Sequence, residues 1–89
     1  MNTITRDWIV SIDRNGVSLD VTYEVHFDPI TKEVETYRPI HVTYANVVGH
    51  THEWYYGENM PSRIVNALEA FRPDLQERLE YRVSRFRYC

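Results

Sequence analysis

The histidines are the side chains of this sequence that could hold a metal ion. His50 and His52 are one residue apart, so on a strand they would project to the same side, about 6.6 Å from each other. A zinc site needs a third and usually a fourth protein ligand. Trp54 and Tyr56 share the parity of the pair, which predicts a packed face. We therefore expect no metal and no cofactor, and a small metal-dependent enzyme that uses the histidines is kept as an alternative function.

A second set of candidates combines carboxylates with an imidazole. Glu24, His26 and Glu35 are expected on the open, solvated face of a sheet. A flat hydrated face does not desolvate a carboxylate enough to prepare it for acid–base catalysis. The sequence also contains no nucleophile elbow, no glycine-rich phosphate loop and no HExxH pair. We therefore expect no catalytic centre and no enzyme activity.

Arginines near the C-terminal end form the third set. Arg78, Arg82 and Arg85 are spaced four and three residues apart, so a helix would place them on one face, with Arg87 close by. Such a face could dock carboxylates or phosphates. It could equally be a solvated helix surface that Asp74 partly neutralises, an interpretation that needs no partner. Nucleic-acid binding through these arginines is the second alternative function.

Composition and charge restrict the class of protein. Eighty-nine residues with 43% hydrophobic and 26% charged side chains predict one compact soluble domain, residues 1–89. Residues 1–60 carry nine acids against four bases, and residues 61–89 carry six arginines against four acids. A dedicated nucleic-acid binder normally has a much stronger basic field. Cys89 is the only cysteine, which favours a reducing, cytoplasmic setting. The segment MNTITRDWIVSI predicts neither a signal peptide nor a membrane span, so we expect no membrane partner.

The elements that would position these side chains begin with a β-hairpin. WIVSIDRNGVSLDVTYEVHF consists of two alternating apolar runs around Asn15 and Gly16, the preferred pair for a two-residue turn with positive φ. If Arg14 faces Val17, the turn brings apolar residues of both strands to one face, and the alternation selects the same residues. The predicted pairs are Ile12 with Leu19, Val10 with Val21, and Trp8 with Tyr23.

A second hairpin follows in the predicted sheet. Asp28 and Pro29 begin a turn in which Lys32 takes a left-handed conformation. Pro39 cannot donate a ladder hydrogen bond, so the third strand should be bulged or exposed there. If Asp28 faces Glu33, the predicted pairs further along are Val21 with Ile40 and Leu19 with Val42.

The last third of the sequence predicts a short strand and two helices. THEWYY has the aromatic, β-favouring content of a fourth strand. Pro61 fits the first turn of a helix. Pro73 divides the rest into helices at about 61–72 and 74–87. Apolar residues recur at helical spacing on both sides of Pro73: Ile64, Val65, Leu68 and Phe71, then Leu75, Leu79, Val83 and Phe86.

The predicted fold is therefore α+β, a three- to four-stranded antiparallel β-meander at about 7–57 with two C-terminal helices packed on one face. The open face would show polar side chains, among them Glu24 and His41, with Tyr37 between them, which suits a protein–protein surface. We expect a protein partner or a homodimer, as for small phage or mobile-element accessory proteins that inhibit a host defence protein. The candidate partner-binding residues are Tyr37, His41, Glu24, Arg78, Arg82, Arg85 and Arg87.

Overall fold

The computed structural model describes residues 3–45, 49–55 and 57–87. Within these ranges the chain forms an antiparallel sheet of four strands, which are hydrogen-bonded in chain order, followed by one helix. The fold is α+β, as predicted. The sequence suggests the end of the third strand and a turn at Val47 and Val48, but these residues and Tyr56 lie outside the described part of the chain. The elements are β1 (Ile4–Arg14), β2 (Val17–Asp28), β3 (Glu33–Ala45), β4 (Thr51–Tyr55) and α1 (Ser62–Ser84).

The first hairpin has the predicted register. Asn15 and Gly16 have φ angles of 53° and 73°, the positive values that a two-residue hairpin turn requires at both central positions. Arg14 faces Val17. The three pairs further along are confirmed as well: Ile12 with Leu19, Val10 with Val21, and Trp8 with Tyr23.

The second hairpin begins as predicted and then departs from the predicted register. Asp28 faces Glu33, and Lys32 has a φ of 66°. Two bulges follow, one between His26 and Phe27 and one between Thr22 and Tyr23 of β2. Each leaves one extra residue on β3, so together they shift the pairing by two residues. The predicted pairs of Val21 with Ile40 and Leu19 with Val42 are therefore wrong, because Val21 faces Val42 and Leu19 faces Tyr44.

The bulges also decide which side of the sheet Tyr37 occupies. A one-residue slip turns a side chain to the other face, so the predicted placement of Tyr37 on the open face is wrong. Tyr37 packs against the core on the α1 side, 6.4 Å from the ring of Tyr23, and its hydroxyl donates to Gln76 Oε1 at 3.3 Å. The predicted bulge near Pro39 is confirmed, since Pro39 pairs with Tyr23 beside the break in the ladder.

One helix stands where two were predicted. Pro73 lies inside α1, although a proline in a helix interior typically costs about 3 kcal/mol. Buried side chains of α1 recur every three or four residues across Pro73, and Phe71 and Leu75 are four apart. Packing against the sheet on both sides of Pro73 therefore holds one continuous helix. The buried residues of α1 are Ile64, Ala67, Phe71, Leu75, Leu79 and Val83.

The core lies between α1 and the face of the sheet that α1 covers. The buried strand residues alternate along β2, which supplies six of them, from Val17 to Phe27. No helical segment in the described part of the chain has the length and apolar character of a membrane span. The strand residues of the core are Val10, Ile12, Val17, Leu19, Val21, Tyr23, Val25, Phe27 and Val42.

Candidate functional site

The first candidate surface is the open face of the sheet around Glu24. Glu24 faces Arg38 across the β2–β3 ladder, and its Oε1 accepts from Arg38 Nε and from His26 Nε2, each at 3.1 Å. The other ring nitrogen of His26 lies 3.1 Å from Thr5 Oγ1 on β1. The hydrogen bond with His26 is the largest cause of the lowered pKa of Glu24. Burial, the next largest cause, opposes it, and the charge and hydrogen bond of Arg38 lower the pKa further. This carboxylate is ionised and already bonded, which does not suit a general acid.

The lowered pKa of Glu24 predicts how acid affects stability. Because the pKa is below its ordinary value of 4.5 in the folded chain, Glu24 stabilises the fold above that value and loses this effect as the pH falls through the folded pKa. Urea midpoints measured from about pH 7 to about pH 2 should therefore fall less for Glu24→Gln than for the wild type. Glu33→Gln, an exposed substitution at the start of β3, is the control and should follow the wild type. Parallel profiles for Glu24→Gln and the wild type would contradict the role of Glu24.

His41 has its own partners on the open face. His41 Nε2 lies 2.8 Å from Glu53 Oε1, and its ring centroid is 4.7 Å from that of Tyr55, the residue opposite on β4. Tyr55 is 62% exposed. Glu24 and His41 thus lie on the same face, each held by its own neighbours. The structure therefore places Glu24 and His41 on the open face, as predicted, whereas Tyr37 lies on the opposite face.

The paired histidines of the sequence lie at the start of β4. His52 stacks with Tyr44 and Trp54 at centroid distances of 6.3 and 6.2 Å, so it forms part of an aromatic row beside the core. His50 is exposed and precedes the first residue of β4. Among residues 3–45, 49–55 and 57–87, no group of three or more His, Cys, Asp and Glu side chains could hold a metal ion.

The second candidate surface is the arginine row, which we define as Arg78, Arg82, Arg85 and Arg87. Three of its guanidinium groups lie over aromatic rings, at 5.6 Å from Phe71 for Arg78, 5.4 Å from Trp8 for Arg82, and 5.6 Å from Tyr81 for Arg85. Arg87 is exposed beyond the end of α1. Stacking of this kind fixes the plane of a guanidinium group and leaves its edge donors available.

The arginine row runs along the outer edge of β1. Arg82 Nη1 donates to the backbone oxygen of Ile9 at 3.2 Å. Earlier on α1, Asp74 forms a 2.5 Å ion pair with Arg14 at the C-terminal end of β1. Because the later residue of α1 contacts the earlier residue of β1, α1 runs antiparallel to β1. A groove of about 760 Å3 separates them near Arg14, and a second groove of about 480 Å3 continues beside Trp8. Among the described residues, the second groove is lined by three arginines and no carboxylate: Trp8, Tyr81, Arg82, Arg85, Phe86 and Arg87.

The charges of the arginine row are not neutralised within the described part of the chain. There the arginines that form ion pairs with a carboxylate are Arg14, Arg38 and Arg72. Asp74, which the sequence suggested as a neutralising partner of Arg78, is engaged with Arg14 instead. The arginine row therefore presents positive charge toward the second groove. The first groove also contains the carboxylates of Asp74 and Glu77, and the whole protein carries a net charge of −3.

Two further arginines belong to this surface and were not singled out in the sequence. Arg6 lies over the ring of Phe86 at 5.5 Å, and Arg14 lies over the ring of Phe71 at 5.0 Å. Both share the parity of Trp8 along β1, which was the signal that could have placed them on the covered side of the sheet. What the sequence could not show was the direction in which α1 crosses that side.

Comparisons with known proteins add no relative. No protein-family model, no curated protein and no solved structure matches this chain significantly. The two surfaces are therefore the basis on which a function can be inferred.

Proposed function

We propose that this chain is a non-catalytic binding module that acts by occupying a protein partner, with the arginine row as its main contact surface. The observation that carries the proposal is that Arg78, Arg82 and Arg85 are held over aromatic rings and form no ion pair among the described residues. Arginine and aromatic side chains contribute most to the energetics of protein interfaces. Side chains ordered before binding lose less entropy when a partner arrives.

The open face of the sheet is the weaker candidate for the main contact. Glu24 and His41 already have hydrogen-bonding partners on that face. A partner that bound them would have to replace those hydrogen bonds, and their exchange yields little net free energy. Exposed Tyr55, beside His41, could extend a contact at the far edge of the sheet.

The proposal extends to the setting in which such a module acts. A small chain with one cysteine suits a reducing, cytoplasmic environment. Inhibition by occupying a host protein, as phage and mobile-element accessory proteins do, requires a binding surface and no reaction. An arginine row beside the outer edge of β1, which no described strand pairs, supplies such a surface.

Affinity capture from a lysate of the native host, treated with nuclease and washed at moderate salt, tests the proposal. We expect the wild type to retain a discrete protein and the variant Arg78→Gln with Arg85→Gln to lose it. The matched control is Arg63→Gln with Arg72→Gln, which removes the same charge from the other part of α1 and should retain the protein. Recovery of nucleic acid alone, with affinity that falls steeply as salt rises, would favour the nucleic-acid alternative. Equal capture by both variants would show that the arginine row is not the contact surface.

A further inference from the structure

We propose that the outer edge of β1 and the arginine row together bind an extended peptide segment with acidic side chains at alternate positions, which adds to the sheet as a fifth strand. This inference rests on the proposed binding function and names the chemistry of the partner. Strand addition to a free sheet edge takes its affinity from backbone hydrogen bonds and its specificity from alternate side chains.

The outer edge of β1 has the backbone groups that a fifth strand needs. β1 is eleven residues long, and among the residues that the structure describes it pairs with β2 on one side only. A two-residue turn makes Arg14 and Val17 a hydrogen-bonded pair, and in an antiparallel ladder such pairs alternate with residues whose N–H and C=O groups point away from the partner strand. The outward-pointing residues of β1 are therefore Thr5, Asp7, Ile9, Ser11 and Asp13.

Arginine side chains donate hydrogen bonds to three of these outward carbonyl oxygens. Arg6 donates to Thr5 O at 3.0 Å, Arg82 to Ile9 O at 3.2 Å, and Arg14 to Asp13 O at 2.9 Å. Guanidinium groups in these positions protect the free edge from pairing with other edges. An incoming acidic strand can replace them, because its N–H groups bond the carbonyl oxygens while its carboxylates accept from the released guanidinium groups.

The spacing of the arginine row fits a strand better than a compact ligand. Arg78 and Arg82 are separated by about 6 Å of helix rise, and Arg82 and Arg85 by about 4.5 Å. Side chains on one face of a strand recur about every 6.8 Å. Because α1 runs antiparallel to β1, carboxylates on one face of an added strand would meet successive members of the arginine row. On the other face the strand would lie beside Ile9, which is 60% exposed.

Two other occupants fit this surface less well. A second copy that paired β1 with β1 around a two-fold axis would bring two arginine rows close together, and their like charges would repel each other. A nucleic acid would supply phosphates to the arginine row, but its backbone has no N–H groups for the outward carbonyls of β1. The acidic peptide satisfies both the edge and the charges.

A synthetic peptide of about ten residues with alternating glutamate and valine, long enough to pair along β1, is the probe. We expect it to bind the full chain and to slow amide hydrogen exchange at Asp7, Ile9 and Ser11. Arg78→Gln with Arg85→Gln should weaken binding about tenfold or more, whereas Arg63→Gln with Arg72→Gln should leave it unchanged. The same peptide N-methylated at alternate residues, on the edge that meets β1, should not bind, because it cannot donate the ladder hydrogen bonds.

Several results would overturn this inference. The first two are equal binding of a peptide with its glutamates in one block and tighter binding of an oligothymidylate than of the alternating peptide. The other two are protection of the same amides by dimerisation without peptide, and no binding of the alternating peptide to the chain. If the peptide fails while lysate capture still depends on the arginine row, strand addition is wrong and the binding function stands. If capture is also independent of the arginine row, both proposals fail.

Discussion

Phe27→Ala should lower the free energy of unfolding by about 3–5 kcal/mol, the range for removing a buried aromatic side chain. Phe27 is fully buried, stacks on Trp8 at 5.2 Å and meets the edge of Phe86 at 5.1 Å. The substitution would leave a cavity between β1, β2 and the segment after α1, and a domain of this size typically has only about 4–13 kcal/mol of stability. Because Phe86 packs against Phe27, the substitution would also leave the ring of Phe86 less firmly held, and Arg6 lies over that ring.

Urea unfolding measures this loss, provided that the slope of the transition is unchanged. Phe27→Leu is the conservative comparison and should lose clearly less, because it refills most of the space. Ile30→Ala removes an apolar side chain that is 73% exposed and should change stability by about 0.5 kcal/mol or less. A loss below about 1 kcal/mol for Phe27→Ala would show that this ring cluster does not hold the fold.

The first hairpin could be predicted from the sequence because two independent signals agree there. Asn15 and Gly16 set the turn, and the apolar alternation selects the same register. For β3 the local signals were incomplete. Pro39 indicated one bulge, but Glu35, the extra residue at the other bulge, gives no signal, because a polar residue fits a solvated strand in either register. The bulge moves Tyr37 to the other face of the sheet. The residue type gives no warning of this, because a tyrosine has both an apolar ring and a polar hydroxyl and fits either face.

Pro73 shows a local rule overruled by packing. A proline usually ends a helix, and the prediction of two helices followed that rule. The spacing of four between Phe71 and Leu75 already continued the buried stripe across Pro73. Six buried residues of α1 contribute hydrophobic free energy on both sides of the break, and that sum exceeds the penalty of one proline.

The candidate site could be predicted only in part, for a similar reason. Spacing alone places Arg78, Arg82 and Arg85 on one helix face. Which strand that face meets depends on how α1 crosses the sheet, and the ion pair of Arg14 with Asp74 joins residues sixty positions apart. The link between the arginine row and the edge of β1 is therefore a tertiary property, without a local pattern in the sequence.

Tyr23 should make the fold sensitive to alkali. Tyr23 is 3% exposed, and burial, with a smaller contribution from Tyr37, raises its pKa from 10.0 to about 12. A raised pKa in the folded chain means that the stabilisation is fully present below pH 10 and is lost as the pH rises through about 12. A difference of about two pKa units corresponds to about 3 kcal/mol.

Tyr23→Phe should remove this titration. Between about pH 9 and pH 12, the free energy of unfolding should decrease in the wild type by up to about 3 kcal/mol more than it does in the variant. The measurement is a series of urea midpoints across that range. Tyr55→Phe, which removes the hydroxyl from a tyrosine that is 62% exposed, is the matched control and should follow the wild-type profile. Because the buried hydroxyl lies on the α1 side of the sheet, alkaline loss should be accompanied by release of α1, visible as a loss of helical circular dichroism. A Tyr23→Phe profile parallel to the wild type would mean that the phenol of Tyr23 reaches solvent in the folded protein.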